Sequence, residues 1–86
     1  MRKVTFVTRE DCPRCVAVGH RVERWAGLLG LAVEEVDVDR AGLAARHGDR
    51  VPVVRGRDGR VLASGRMRGL FGAMLRERMR QGSPSG

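Results

Sequence analysis

Aromatic side chains are almost missing from this 86-residue chain: tyrosine is absent, and two phenylalanines and one tryptophan are all it has. Phe6, Trp25 and Phe71 each sit in an apolar periodic segment, which leaves no platform on which bases could stack. Nucleic-acid binding is therefore not expected, although 17 Lys and Arg against 10 Asp and Glu give a formal charge of +7. The basic residues, nearly all Arg, are spread from Arg2 to Arg80 with no dominant block. Long apolar runs are missing too. The longest, Trp25 to Val33, holds two glycines and is less than half of the ~20 residues needed to cross a bilayer, so no membrane partner is expected. Arg9, Glu10 and Asp11 intervene before a secretory apolar core of ~7 to 15 residues can form, and a cytoplasmic location is the expectation.

What is present is the composition of a folded chain, 42% hydrophobic and 31% charged, with a mean hydropathy of −0.30. A chain this short buries only about 60% of its unfolded surface and supports one core. The expectation is a single domain over residues 1–80 and a polar Gly/Ser/Pro tail over 81–86.

Cysteine is scarce and therefore informative. The two that exist stand as Cys12-Pro13-Arg14-Cys15. In a reducing compartment this spacing points to redox chemistry or a metal rather than to a structural staple. A closed zinc site would need His20 and His47, giving Cys-x2-Cys-x4-His-x26-His, which fits none of the usual finger spacings. No metal site is expected within one chain.

The surroundings of the pair follow a pattern. Lys3 to Thr8 is a Val/Thr/Phe run that reads as a strand, and the cysteines come directly after it. Pro13 suits the first position of a helix, and Val18, Val22, Trp25, Ala26 and Leu29 recur at helical spacing until Gly30. Leu31 to Asp39 reads as a second strand, parallel to the first through this crossover. Asp39 is expected to cap a short helix through His47, ended by Gly48. Val51 to Arg55 and Val61 to Ser64 read as an antiparallel pair, joined through Gly56-Arg57-Asp58-Gly59 with its Asp-Gly hairpin signal. Met67, Leu70, Phe71, Met74, Leu75 and Met79 then form a stripe at helical spacing, expected to be the core face of a last helix, opposite Arg68, Arg76, Arg78 and Arg80.

With Pro13 as the first helical residue, Cys12 is the N-cap, and its sulfur can accept the free amides of Arg14 and Cys15. A thiolate suits that place. The helix dipole contributes ~0.3 to 1 kcal/mol, below the ~1.36 kcal/mol that shifts a pKa by one unit, so amide hydrogen bonds and the charges of Arg9 and Arg14 must add to it. Glu10 and Asp11 oppose them. Cys12 is thus the candidate nucleophile and Cys15, one turn in and on the buried side, the resolving thiol.

The order strand, Cys-x2-Cys, helix, strand, helix, strand, strand, helix resembles the thioredoxin superfamily, and more closely its compact bacterial glutaredoxin-like proteins. The resemblance covers nearly the whole chain and rests on Cys12-Pro13-Arg14-Cys15, Glu35-Val36-Asp37-Val38-Asp39, Arg50-Val51-Pro52-Val53 and the Asp58-Gly59 hairpin. It implies an α/β thioredoxin-like fold, β-α-β-α-β-β-α, with a four-stranded mixed sheet and helices on both faces. It implies a cis Val51-Pro52 bond against the cysteines, with the Val51 backbone free to pair with a bound thiol peptide. Its substrate contacts fall on Arg9, Pro13, Arg14, Val51, Pro52, Gly65 and Arg66. Arg9 and Val51-Pro52 match elements that hold glutathione in glutaredoxins. The third element departs: Ser64-Gly65-Arg66-Met67-Arg68 stands where those proteins have two glycines and then acidic residues for the glutathione ammonium.

The resulting expectation is a monomeric thiol-disulfide oxidoreductase without a tightly bound cofactor. Its partners would be a disulfide-containing protein or a glutathionylated substrate, with glutathione as candidate co-substrate. The alternative is a non-catalytic thioredoxin-fold module that binds a partner protein or, as a dimer, bridges a metal cluster.

Overall fold

The computed structural model describes residues 2–42 and 50–82. Within them the elements are β1 (Lys3–Thr8), α1 (Pro13–Leu29), β2 (Ala32–Asp37), β3 (Val53–Arg55), β4 (Val61–Ser64) and α2 (Leu70–Gln81). The strands form one mixed sheet in the order β2-β1-β3-β4. β1 and β2 run parallel from Lys3 opposite Ala32 to Thr8 opposite Asp37, with α1 as their crossover. β3 is antiparallel to β1 and to β4, pairing Val53 with Val7 and with Ser64. This is the thioredoxin-like arrangement.

Local chemistry explains the element ends. Pro13 opens α1 where an amide would have no partner, and Cys12 before it is extended, with φ −118° and ψ 95°. At the other end Gly30 takes a left-handed φ of 70° and its amide returns to the Ala26 carbonyl, closing the helix. β3 is shorter than the expected Val51 to Arg55 because Pro52 has no N–H for the ladder. β2 likewise ends at Asp37 instead of Asp39. There the Asp37 carboxylate accepts the amides of Asp39 (2.9 Å) and Arg40 (3.0 Å), so Asp37, not Asp39, acts as the cap of the following turns. The rest of the short helix expected through His47 and Gly48 lies outside the described residues.

Both described helices cover the same face of the sheet. Val4 and Phe6 of β1, Val54 of β3 and Ala63 of β4 meet Val18, Val22 and Ala26 of α1 and Leu70 and Met74 of α2 in the main core. Gly19 allows this approach, since a Cβ there would stand 3.3 Å from the Phe6 ring. Val7, Val38 and Val53 form a smaller cluster, with Val51 packed on it. Among the described residues no helix is long and apolar enough to cross a membrane.

The last helix differs from its expected form. Met67 lies before it in a left-handed turn, φ 58°, and is nonetheless buried in the main core. Leu70, Ala73, Met74 and Glu77 make the inward face of α2, whereas Phe71, Leu75 and Met79 are exposed. The apolar stripe was two stripes about 100° apart on the helix, and only one can meet the sheet. Phe71 finds a partial shelter edge-on against Trp25, with centroids 4.9 Å apart. The helix also continues into the expected tail. Gln81, its last residue, accepts from the Lys3 amide (2.8 Å) and donates to the Lys3 carbonyl (2.7 Å), tying the end of α2 to the start of β1.

Glu77 is the buried charge of this face, 4% exposed. Its carboxylate accepts from the Arg57 amide (3.2 Å) and the Gln81 side chain (2.6 Å), so the β3–β4 hairpin and the end of α2 share one acceptor. Gly56 makes the contact possible, because a Cβ there would lie 2.7 Å from a Glu77 oxygen. Gly56→Ala is expected to cost ~1 to 3 kcal/mol in urea unfolding, and less than ~1 kcal/mol when introduced into Glu77→Ala. An equal loss in both backgrounds would place the defect elsewhere than at this carboxylate.

Candidate active site

The sheet topology gathers chemistry at one end. Parallel β1 and β2 both finish there, antiparallel β3 starts there, and β4 finishes there, with Ser64 opposite Val53. α1 begins at the same end, only four residues after β1. Arg9, Cys12, Pro13, Arg14, Val51, Pro52, Gly65 and Arg66 are therefore brought to one edge of the molecule by elements distant in sequence.

The turn into α1 is tight. Asp11 adopts a left-handed φ of 56°, Cys12 is extended, and Pro13 starts the helix. The Cys12 sulfur accepts the Cys15 amide at 3.2 Å. It does not also accept the Arg14 amide, so the expected pair of donors is reduced to one. Cys12 and Cys15 are joined by a disulfide, with Cα atoms 5.2 Å apart. The two sulfurs differ in access: Cys12 is half-buried, while Cys15 is 2% exposed on the inner face of α1. Pro13 and Arg14 are exposed beside them.

The Val51-Pro52 bond is cis, as the resemblance implied. Gly65, left-handed at φ 60°, sends its amide to the Pro52 carbonyl (3.0 Å) and the Arg50 carbonyl (3.3 Å). The proline loop and the end of β4 are thus one hydrogen-bonded unit. Pro52 is fully buried, Val51 half-buried and Arg66 exposed.

Arg9 is engaged within the chain. Its Nε lies 3.5 Å from Asp39 Oδ2, so an incoming carboxylate competes with one already present. Arg9 and Cys12 line an open groove of about 900 Å3, whose wall also holds Glu10, Asp11, Glu35 and Asp37. These four carboxylates were not recognised as site residues from sequence. The signal was there in the parallel pairing, which sets the end of β2 beside the end of β1. His20 is exposed and borders a smaller cavity of about 270 Å3 with Cys15, which adjoins the Cys12 groove and shares Thr8, Val16 and Glu35 with it. His47 lies outside the described residues.

Because only Cys12 reaches solvent, alkylation should distinguish the thiols. In the reduced protein iodoacetamide is expected to modify Cys12 first at every pH between about 5 and 9, with Cys15 following only on unfolding. Peptide mapping that finds Cys15 modified ahead of Cys12 would reverse their roles.

No curated protein matches the chain. The Cys12–Cys15 disulfide at the start of α1 supports a redox-type function, in keeping with the family model that matches residues 3–78, the Glutaredoxin-like domain (DUF836). The chain belongs to this glutaredoxin-like family.

Proposed function

We propose that the protein is a cytoplasmic thiol-disulfide oxidoreductase that uses the Cys12/Cys15 couple to reduce protein or glutathione mixed disulfides. The observation that carries this reading is the asymmetry of the pair: an accessible sulfur at a helix N-cap, on the wall of an open groove, backed by a shielded second sulfur within bonding distance.

In the reduced protein the Cys12 thiolate attacks one sulfur of the target disulfide. A Cys12–target bond forms, the target's sulfur–sulfur bond breaks, and the departing thiolate takes a proton. Cys15 then loses its proton and attacks Cys12 Sγ, forming the Cys12–Cys15 disulfide and releasing the second target thiolate. That thiolate also takes a proton, so the target gains two electrons from the protein and two protons, one matched by the proton Cys15 releases and one by the proton Cys12 gave to solvent when it ionised. Donation by the Cys15 amide and the positive end of α1 stabilise the thiolate in the attacking and leaving states. Burial of Cys15 keeps the resolving thiol from reacting with solutes before a mixed disulfide forms.

Val51, Pro52 and Gly65 line the other side of this reading. The Val51 backbone precedes the first ladder residue of β3, so it is available to an extended thiol peptide. Glutathione as co-substrate draws support from Arg9 and Val51-Pro52. The Asp39 partner of Arg9 and the absence of acidic residues at Met67 and Arg68 weaken it. Exposed ion pairs of this kind are worth ~0 to 1 kcal/mol, so binding falls by less than about tenfold and is not abolished.

Cys15→Ser separates the routes. Removal of a glutathionyl group needs only Cys12 and a second glutathione, whereas dithiol reduction of a protein disulfide needs both cysteines. The expected result is slow glutathione-dependent deglutathionylation by Cys15→Ser, with loss of dithiol reduction of a protein disulfide. A variant without any glutathione-dependent activity, beside a wild type that reduces a protein disulfide, would remove glutathione from the reading. A wild type that turns over neither substrate would leave the binding-module alternative.

A further inference from the structure

The order β2-β1-β3-β4 sorts charge across the site end of the sheet. On the β2 flank stand Glu35 and Asp37, with Asp39 just beyond, and Glu10 and Asp11 lie in the adjoining turn. On the β3–β4 flank stand Arg50, Arg66 and Arg68, all exposed. Cys12 follows β1 and lies between the two. In a chain of formal charge +7 the acidic flank runs against the overall balance.

The groove of about 900 Å3 lies on that acidic flank and has Cys12 in its wall. Its two arginines are already matched: Arg9 sits 3.5 Å from Asp39 and Arg40 sits 3.4 Å from Glu10. Asp11, Glu35 and Asp37 have no ion-pair partner among the described residues. Asp37 accepts two backbone amides through Oδ1 alone and is held in place by them. Pro13 and Val16, the latter 64% exposed, supply an apolar strip beside these charges. A groove so built suits an apolar stem with a cationic head next to a reacting sulfur. Glutathione, with two carboxylates and one ammonium, is a poor match for it.

We propose that this groove selects protein disulfides whose cysteine is flanked by Lys or Arg, with Glu35 and Asp37 receiving the cation. The proposal rests on the oxidoreductase reading and specifies its substrate class. A tenfold preference corresponds to ~1.4 kcal/mol shared between two such contacts, within the range of exposed ion pairs. They act on encounter as well as on the bound state, and salt weakens both.

The test uses two synthetic peptides of identical sequence, each closed by one disulfide, except that Lys flanks the cysteines in one and Glu in the other. The pre-reduced full chain is mixed with each peptide, and the second-order rate of reduction is divided by that peptide's rate with dithiothreitol, which corrects for intrinsic reactivity. The Lys peptide is expected to react about tenfold faster in roughly 20 mM salt, and less than about threefold faster near 0.5 M. In a Glu35→Gln/Asp37→Asn variant, which keeps the Asp37 acceptor oxygen, the preference is likewise expected to fall below about threefold at low salt. Equal rates for the two peptides, a preference for Glu, or a Lys preference undiminished in the variant would overturn the groove assignment and leave the oxidoreductase reading standing. If dithiothreitol reduces both peptides and the protein reduces neither, the oxidoreductase reading fails and the substrate class fails with it.

Discussion

The hydrogen bond from the Cys15 amide to the Cys12 sulfur joins the folding problem to the chemical one. A helix opening with proline has free amides in its first turn, and something must accept them. An oxygen of Ser, Thr or Asp would ordinarily do so. Here a sulfur does, at 3.2 Å, and the acceptor that the helix needs is the atom that a redox couple would expose. Replacing Cys12 by a better cap would satisfy the helix and remove the chemistry. The same bond explains the unequal access of the two cysteines: the N-cap lies outside the helix and Cys15, three residues on, falls on its buried stripe with Val18, Val22 and Ala26.

Everything else that bears on the site follows from where the sheet places this cap. The parallel β1–β2 pair fixes the start of α1 at the carboxyl ends of two strands, and antiparallel β3 and β4 return the proline loop and Gly65 to the same edge. Side-chain charge is then a matter of which strand end it follows. The rigid parts lie behind: Glu77 holds the hairpin to α2, and Gln81 holds α2 to β1, so the scaffold is braced at the end remote from the cysteines.

Much of this was legible in the residues. β1, α1 and β4 follow from a β-branched run, a proline-to-glycine helix and an Asp-Gly hairpin, each with one local explanation. The parts that were not legible depended on tertiary choice. Phe71, Leu75 and Met79 were as good a helix face as Leu70 and Met74, and only the position of the sheet decides between them. Glu77 reads as a surface residue until Gly56 is seen to bring the Arg57 amide of the hairpin against it. The pairing of Arg9 with Asp39 is not legible either, because the register that sets Asp39 beside it is a property of paired strands, not of either strand alone. The cysteine pair was legible for the opposite reason, since its geometry is set within four residues.

Asp11 shows how the two demands meet in one residue. The chain must reverse from β1 into the N-cap within a few residues, and it does so with a left-handed φ of 56° immediately before Cys12. That conformation costs roughly 1 to 2 kcal/mol for most side chains, whereas Asp, Asn and Gly tolerate it. Of these, Asp is electrostatically the least helpful to a thiolate next door, so thiolate stabilisation alone does not account for it. Asp11 instead lines the groove together with Glu10, Glu35 and Asp37. The turn accepts Asp for its backbone, and the groove gains a negative wall. The stabilisation that Asp11 takes from the Cys12 thiolate is offset by the Cys15 amide and the helix terminus, which act on that sulfur alone.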